Sequence, residues 1–284
     1  MNWVDEGALY SQIAVFLRED LGRGDLTTQS ILTRNTRARG RFVAGEPMIV
    51  AGLEAAEEVF SMLDSQLQLE AFASDGEAVE AGKVIARTSG FADVLLAGER
   101  VALNLIERLS AVATLTNKFV RAVEGTTAQI SDTRKTTPGL RMLEKYAVMI
   151  GGGRNHRFGL DDGIVIKSNH IVVAGGIEPA VMAAKKNLGH LHKICVQVST
   201  DNELKTAVNA GADVLLFDNL LPEEVAKLVA LARELIPGIG TETAGNIRLE
   251  NVRAYAEAGP DLIRVGELTK SGTVVNVHFQ IQPF

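Results

Sequence analysis

The segment of residues 132–170 concentrates the side chains that could do chemistry. It holds seven basic residues and two histidines, at Arg134, Lys135, Arg141, Lys145, Arg154, Arg157, Lys167, His156 and His170. The chain as a whole has the opposite balance, with 29 Lys and Arg against 35 Asp and Glu and a net charge of −6. Threonines and the glycines at 151–153 interrupt the cluster, and such residues let hydroxyls and backbone N–H groups approach an anion. The pattern favours an anion-binding site, although a run of charge can also be a solvated surface.

Length and composition limit the class of protein. With 284 residues, 46% of them hydrophobic, the chain can form one large domain or two smaller ones around a full core. The single cysteine, Cys195, excludes an internal disulfide and is typical of the reducing cytoplasm. No segment approaches the roughly 18 apolar residues of a membrane span. Net acidity and 5% aromatic content argue against a nucleic-acid surface. We therefore expect a cytoplasmic protein with small anionic ligands.

The first part of the chain mixes helical and strand patterns. Residues 6–21 place leucine or isoleucine at every fourth position, which predicts an amphipathic helix. Residues 38–51 alternate and contain turn residues, which predicts a strand and a hairpin. A short helix over residues 53–63 and short strands within residues 66–89 follow. Residues 92–123 are free of proline and contain one glycine, so they predict a long helix that links two domains.

The second part repeats one unit. Six apolar segments each end in polar residues and are followed by a helical pattern, at residues 128–131, 163–166, 194–196, 214–217, 238–241 and 262–265. Near-continuous apolar strands that alternate with helices predict a parallel sheet. The first strand is not followed by a dinucleotide-binding glycine motif, which favours a barrel over a doubly wound sheet. The residues after each strand then meet at one mouth, which would gather Arg134, Lys135, Lys167, Asp218 and Glu242.

Two residues at this mouth admit more than one chemistry. A lysine that ends a barrel strand, such as Lys167, can form a Schiff base, but the neighbouring arginines favour anion binding. Asp218 follows four apolar residues, so it is difficult to explain as solvated surface. A carboxylate in that position usually holds a metal ion or stabilises a developing positive charge.

Long motifs in the chain resemble the quinolinate phosphoribosyltransferase family. They run in order through most of the sequence: E-D-L-G-R-G-D-L-T-T (19–28), G-E-R-V-A-L-N (98–104), T-R-K-T-T-P-G-L-R (133–141), E-K-Y-A-V (144–148), G-G-G-x-N-H-R (151–157), I-K-x-N-H (166–170) and L-x-D-N (216–219). The resemblance implies an N-terminal α/β sandwich domain joined to an incomplete α/β barrel of about seven strands. We expect the sandwich over residues 1–112, joined by a C-terminal strand at 273–284, and the barrel over 113–272.

The resemblance also implies an activity. The family transfers the phosphoribosyl group of phosphoribosyl pyrophosphate to quinolinate with decarboxylation, giving nicotinate mononucleotide, CO₂ and pyrophosphate for NAD biosynthesis. It implies Mg²⁺ and a homodimer, or a multiple of dimers, whose sites borrow residues from the partner. By this resemblance Arg134, His156, Arg157 and Lys167 hold quinolinate, with Arg100 reaching in from the other subunit. Lys135 and Lys167 meet the pyrophosphate of the donor, and Asp218 lies near the ribose hydroxyls and the metal ion. Lys135, Lys167 and Asp218 are the expected catalytic residues.

Three segments depart from the family pattern, and all three lie on the donor side of the expected mouth. The chain has Cys-Val-Gln-Val at 195–198 instead of Glu-Val-Glu-Val, Glu-Thr-Ala-Gly-Asn at 242–246 instead of Glu-x-Ser-Gly-Gly, and Gly-Glu-Leu-Thr-Lys-Ser at 266–271 instead of G-x-L-T-H-S. The remaining expected substrate contacts fall in or beside these segments, at Thr133, Gln197, Glu242, Ala244, Gly245, Asn246, Gly266 and Lys270. Transfer to another aromatic acid, a Schiff-base lyase, and a weakly active or non-catalytic binding homologue therefore stay open as alternatives.

Overall fold

The computed structural model describes residues 4–33, 35–270 and 274–284. Ser271 of the third divergent segment and Thr273, where the expected C-terminal strand begins, lie outside these ranges. The chain divides into two compact units. The N-terminal unit comprises Met1–Asn117, Thr137–Gly152 and Ser271–Phe284, and the barrel unit comprises Lys118–Thr136 and Gly153–Lys270.

Helices and strands alternate along most of the chain. The helices are α1 (Glu6–Leu21), α2 (Leu26–Ile31), α3 (Leu53–Leu63), α4 (Ala92–Ala122), α5 (Arg141–Ile150), α6 (Ser168–Ala174), α7 (Ile177–Asn187), α8 (Asp201–Ala210), α9 (Pro222–Leu235), α10 (Val252–Glu257) and α11 (Glu267–Lys270). The strands are β1 (Arg37–Ala44), β2 (Met48–Ile49), β3 (Leu69–Ala71), β4 (Ala78–Val79), β5 (Val84–Phe91), β6 (Gln129–Ser131), β7 (Ile164–Ile166), β8 (Ile194–Gln197), β9 (Val214–Asp218), β10 (Gly240–Ala244), β11 (Leu262–Arg264) and β12 (Val277–Pro283).

The N-terminal unit is built on an antiparallel sheet with the order β12-β1-β5-β3. Burial alternates along β1, so Ala38, Phe42 and Ala44 face the core while the arginines between them face solvent. Phe42 packs against Phe60 of α3 with ring centroids 6.2 Å apart. This alternation is the period of two expected when one face of a sheet is buried.

A buried glutamate of α5 joins this helix to α4 and to the segment before α5. Glu144 is fully buried. Its carboxylate accepts hydrogen bonds from Arg108 Nη2 at 2.6 Å and from the hydroxyl of Thr137 at 2.7 Å. Lys145, beside it, is also fully buried. The E-K-Y-A-V motif therefore serves packing in this unit, and the basic cluster seen in the sequence divides between the two units.

The barrel unit contains six parallel strands in the order β6-β11-β10-β9-β8-β7. Beyond β6, Arg154 forms an isolated parallel bridge with Ser131, so a one-residue remnant of a further strand extends the sheet. Helices follow the strands, as in β7-α6, β8-α8, β9-α9 and β10-α10. The expected α/β architecture with an incomplete barrel is confirmed.

The fifth barrel strand lies further along the chain than predicted. The sequence pattern places it at 238–241, with Glu242 after its end, but β10 runs over Gly240–Ala244. Glu242 is a central strand residue that pairs with Leu216 of β9 and Leu262 of β11. The polar residues Thr241, Glu242 and Thr243 are all buried there. The apolar pattern therefore does not mark the position of this strand.

Candidate active site

The register of the parallel strands places one row of side chains at the carboxyl end of the sheet. Neighbouring residues in paired strands point to the same face, and successive residues point to opposite faces. Ser131, Arg264, Ala244 and Asp218 are paired in that order across β6, β11, β10 and β9. Glu242 and Gln197 share this face, because each pairs with Leu216. This face, with the loops that follow its strands, forms the mouth of the barrel.

Apolar side chains form the floor beneath this row. Val165, Cys195 and Leu216 are buried together, with Val214 and Ala244 packed against them. The thiol of Cys195 lies 4.0 Å from Glu242 Oε2. Burial, the first cause, and the Glu242 carboxylate both raise the pKa of this thiol well above its usual value. Cys195 therefore stays protonated and acts as a small apolar residue of the floor.

Glu242 is a shared anionic centre of the mouth. Its Oε2 atom lies 3.3 Å from His156 Nε2 and 3.5 Å from Arg264 Nη1. The exposed fraction of its side chain is only 9%, so both interactions act in a setting with little water. The backbone N–H of His156 donates to Asp132 Oδ1 at 2.8 Å, which fixes the residue at the mouth. His156 and Glu242, 86 positions apart in the chain, are therefore brought together as expected for two site residues.

Arg264 is a residue of the mouth that the sequence reasoning did not assign. It ends β11, and only 8% of it is exposed. Its flanking residues Ile263 and Val265 are fully buried on the opposite face. The available signal was a basic residue inside the apolar segment Leu-Ile-Arg-Val, since charged residues are almost never fully buried unless they are paired.

The cations predicted from the sequence converge at the same place. Burial, followed by the charges of Arg134 and Arg264, lowers the pKa of the Arg157 guanidinium. Burial also lowers the pKa of Lys167, and there Arg264, Lys135 and Arg157 add to the effect while Asp218 opposes it. Like charges close enough to lower the pKa values of Arg157 and Lys167 indicate a region of strong positive potential, which a bound anion would relieve.

Local contacts hold these cations in position. Arg157 Nη1 donates to the carbonyl of Gly163 at 2.6 Å, and the backbone N–H of Lys167 donates to His170 Nδ1 at 3.0 Å. The hydroxyl of Thr133 accepts the N–H of Lys135 at 3.1 Å. A Cβ atom at Gly266 would lie 3.2 Å from Lys135 Cδ, so the glycine leaves room for the lysine stem. Thr133 and Gly266, both expected contacts, thus shape the approach of Lys135.

Asp218 and Gln197 complete the polar lining. Both are half-buried at the ends of their strands. Gln197 Oε1 accepts the N–H of Ser168 at 3.4 Å, a weak contact with the first residue of α6. Asp218 makes no hydrogen bond through its side chain to a described residue, and its charge acts to raise the pKa of Lys167. Its carboxylate is therefore available to a ligand.

The loop after β10 requires glycine at one position. Gly245 has a φ of +94°, and a Cβ atom there would lie 2.2 Å from Asn219 Oδ1. Asn219 and Asn246 also have positive φ, at 61° and 51°. Asparagine tolerates this region better than most residues, so Asn246 keeps a backbone shape that glycine would also adopt. With Ala244, this loop lies beside Asp218 at the mouth.

Two further expected site residues have exposed side chains. Lys270 ends α11 with an exposed side chain. Arg100 is an exposed residue of α4 in the N-terminal unit. The remaining predicted residues are gathered at the carboxyl ends of the barrel strands, where α/β barrels carry their active sites.

The acidic residues of the mouth suit a metal ion that arrives with a substrate. The described residues contain no group of three or more His, Cys, Asp or Glu that could hold a metal ion by themselves. Glu242 is engaged by His156 and Arg264, which leaves Asp218 as the available inward carboxylate. Mg²⁺ is commonly held by one or two carboxylates together with substrate phosphates. Asp218 fits that mode of binding.

Comparisons with known proteins agree along the whole chain. Residues 25–110 match the quinolinate phosphoribosyl transferase N-terminal domain, and residues 112–280 match the C-terminal domain of the same family. A probable nicotinate-nucleotide pyrophosphorylase [carboxylating] of Bacillus subtilis is 45% identical over 266 residues, which cover 94% of this chain and 91% of the relative. The human nicotinate-nucleotide pyrophosphorylase [carboxylating] is 34% identical over 84% of this chain and 80% of its own length.

A solved structure gives the same result. The nicotinate-nucleotide pyrophosphorylase of Francisella tularensis superposes with a TM-score of 0.93 at 37% identity, covering 99% of this chain and 98% of that one. The helices of the described residues include none that is both long and apolar enough to cross a membrane. The fold, the cation-lined mouth and these relatives together show that this chain belongs to the quinolinate phosphoribosyl transferase family.

Proposed function

We propose that this chain is a carboxylating nicotinate-nucleotide pyrophosphorylase, which transfers phosphoribose from phosphoribosyl pyrophosphate to quinolinate and releases CO₂ and pyrophosphate. The observation that carries the proposal is the charge of the mouth. Burial, followed by the charges of Arg134, Lys135 and Arg264, lowers the pKa values of Arg157 and Lys167, so these five cations lie close together. Both substrates are multiply charged anions, and such a mouth favours their entry even though the protein is acidic overall.

Quinolinate suits the side chains on one side of the mouth. Its two carboxylates match the planar donors of Arg134 and Arg157, which can each make paired hydrogen bonds. Quinolinate has no ketone or aldehyde carbon, so in this reaction Lys167 acts as a cation and not as a Schiff-base nucleophile. His156, held against Glu242 at 3.3 Å, adds a further donor or acceptor at the ring.

The first step joins the acceptor to the sugar. The ring nitrogen of quinolinate attacks C1 of the ribose as the C1–oxygen bond breaks, and pyrophosphate leaves with that electron pair. Positive charge builds up on the ribose during this step, and Asp218, half-buried at the end of β9, can stabilise it. Lys135 and Lys167 offset the charge that develops on the departing pyrophosphate.

The second step releases CO₂. The bond between the ring and the carboxylate next to the nitrogen breaks, and its electron pair stays on the ring carbon beside the now cationic nitrogen. That carbon then takes up a proton, which yields nicotinate mononucleotide. The cationic residues of the mouth stabilise the negative charge that develops on this ring carbon as CO₂ departs.

We further propose Mg²⁺ as the cofactor, with Asp218 as its protein ligand. When bound, the ion would neutralise the pyrophosphate group of the donor as that group accepts charge. We also propose a homodimer, or a multiple of dimers, that works in the cytoplasm. Support for the dimer is the exposure of Arg100 on α4, which leaves this residue of the G-E-R-V-A-L-N motif free to serve a partner's mouth.

The direct test is turnover by the purified protein. It is incubated with quinolinate, phosphoribosyl pyrophosphate and Mg²⁺, and nicotinate mononucleotide and CO₂ are measured. Nicotinate serves as a control acceptor, because it lacks the carboxylate that leaves. Formation of the mononucleotide with quinolinate as acceptor, but not with nicotinate, supports the proposal. No product from quinolinate, or product from nicotinate in its place, would contradict it.

A further inference from the structure

Arg264 is a buried cation with unpaired donors among the described residues. Only 8% of the residue is exposed. Its Nη1 atom lies 3.5 Å from Glu242 Oε2, which exceeds the length of a good N–H···O hydrogen bond. Nε and Nη1 both lack a hydrogen-bond partner among the described residues. A buried donor without an acceptor is costly, and nearly all such groups in proteins are satisfied.

The positive charge of Arg264 is only partly neutralised by the residues around it. Among the described residues Glu242 is its one carboxylate partner within ion-pair distance, and the same Oε2 atom is shared with His156. The guanidinium charge lowers the pKa of both Arg157 and Lys167, so it adds to a group of cations. A guanidinium under these conditions is stabilised by an anion that brings several acceptor oxygens.

A purely structural role explains the position poorly. The structural arginine Arg108 of the N-terminal unit has its donors engaged, since Nε and Nη2 lie 3.1 Å and 2.6 Å from Glu144 Oε1. The neighbours of Arg264 on the inner face include Ala244, and the floor of the mouth is apolar. An apolar residue at 264 would extend that floor, and Glu242 would keep its contact with His156 at 3.3 Å, so packing alone gives no reason for arginine.

We propose that Arg264 is a substrate-binding residue of the mouth, which donates to a carboxylate or phosphate oxygen of a bound substrate. The inference rests on the proposed function and adds a specificity-determining cation to it. Arg264 lies in the same row as Asp218, and it pairs with Ala244, which is two residues beyond Glu242 in β10. It therefore adds a guanidinium to the inner side of the mouth, in addition to the cations of the loops.

The test measures binding separately from turnover. Arg264→Met removes the charge and the donors, and Arg264→Lys keeps the charge without the planar donors. Arg253→Met is the matched control, since Arg253 is an exposed arginine of α10 paired with Glu257 at 2.7 Å. Calorimetry at fixed salt with quinolinate, benzene-1,2-dicarboxylate and inorganic pyrophosphate, each added alone, separates a carboxylate from a phosphate partner.

We expect Arg264→Met to weaken at least one probe by about tenfold or more, and Arg264→Lys to recover part of the loss. Loss confined to the two dicarboxylates assigns Arg264 to the acceptor acid, and loss confined to pyrophosphate assigns it to the donor. If Arg264→Met is unfolded, the double variant with Glu242→Gln removes both buried charges and is compared with Glu242→Gln alone. Affinities within about twofold of wild type for every probe would overturn the assignment.

The same data distinguish this inference from the proposed function. A wild-type protein that binds the dicarboxylates or pyrophosphate but forms no nicotinate mononucleotide would contradict the function. The anion-binding role of Arg264 would still be supported in that case if the Arg264 variants bind those probes more weakly than the wild type. If the wild-type protein turns over quinolinate and the Arg264 variants bind every probe as the wild type does, only the substrate-binding role of Arg264 is contradicted.

Discussion

Replacing Glu242 with glutamine should destabilise the barrel unit through Arg264. The substitution keeps the volume of the side chain but removes the carboxylate that faces a buried guanidinium. Two unit charges 3.5 Å apart attract by about 5 kcal/mol at an effective dielectric constant of about 20. Desolvation of both groups offsets much of this attraction. Removing one partner of a buried pair nevertheless costs about 3–5 kcal/mol, because the other charge is left buried.

The geometry places the expected loss near the lower end of that range. The 3.5 Å separation is long for a hydrogen bond, and His156 also uses Oε2. We therefore expect Glu242→Gln to lower the free energy of unfolding by about 3 kcal/mol. Arg264→Met in the same background should recover about 2 kcal/mol, since residues in contact commonly couple by up to about 3 kcal/mol.

Urea unfolding of the wild type, both single variants and the double variant measures this coupling. Glu257→Gln is the control, because Glu257 pairs with Arg253 on the surface with 60% of its side chain exposed. A surface pair of this kind should contribute at most about 1 kcal/mol. Additive losses from Glu242→Gln and Arg264→Met, with no recovery in the double variant, would refute the view that Glu242 neutralises a buried arginine.

Four further outcomes follow from the structure. Glu144→Ala should lower the free energy of unfolding by about 3–5 kcal/mol in urea titration, because it leaves Arg108, with only 14% of its side chain exposed, without its carboxylate partner; a loss below about 1 kcal/mol would contradict the network. Gln197→Glu should raise turnover with Mg²⁺ by roughly 10- to 1000-fold if a missing carboxylate limits the rate, and unchanged steady-state kinetics would show that the divergence is neutral. Since the pKa of Lys167 is lowered, its charge is present below that pKa and is lost as pH rises through it. Quinolinate affinity should therefore fall at a pH below the ordinary lysine value, and a fall only above that value would count against this role. Finally, a mixture of Arg100→Ala and Lys135→Ala proteins should regain part of the activity through hybrid dimers, and a mixture as inactive as its parents would refute the shared site.

The sequence by itself determined the repeating architecture and the family. Periodicity placed α1 and α3 at their observed bounds, because each of these helices buries one face and has a polar opposite face. Apolar strands that end in polar residues indicated the parallel sheet, because residues at the carboxyl ends of parallel strands share one edge. The same logic predicted that Lys135 and Lys167 meet at one mouth, where the charge of Lys135 acts on Lys167.

Only the tertiary structure decided which polar residues face one another. Glu242 was assigned to a loop, since β10 carries buried polar residues in place of an apolar run. The sequence did not assign Arg264 to the mouth. Successive strand residues point to opposite faces, and a register shift of one residue would turn the Arg264 side chain toward the helices. The basic cluster looked continuous, yet Lys145 packs inside the N-terminal unit while Lys167 lines the barrel mouth. Such differences depend on pairings between strands and helices distant in the chain, and local residue patterns carry no information about those pairings.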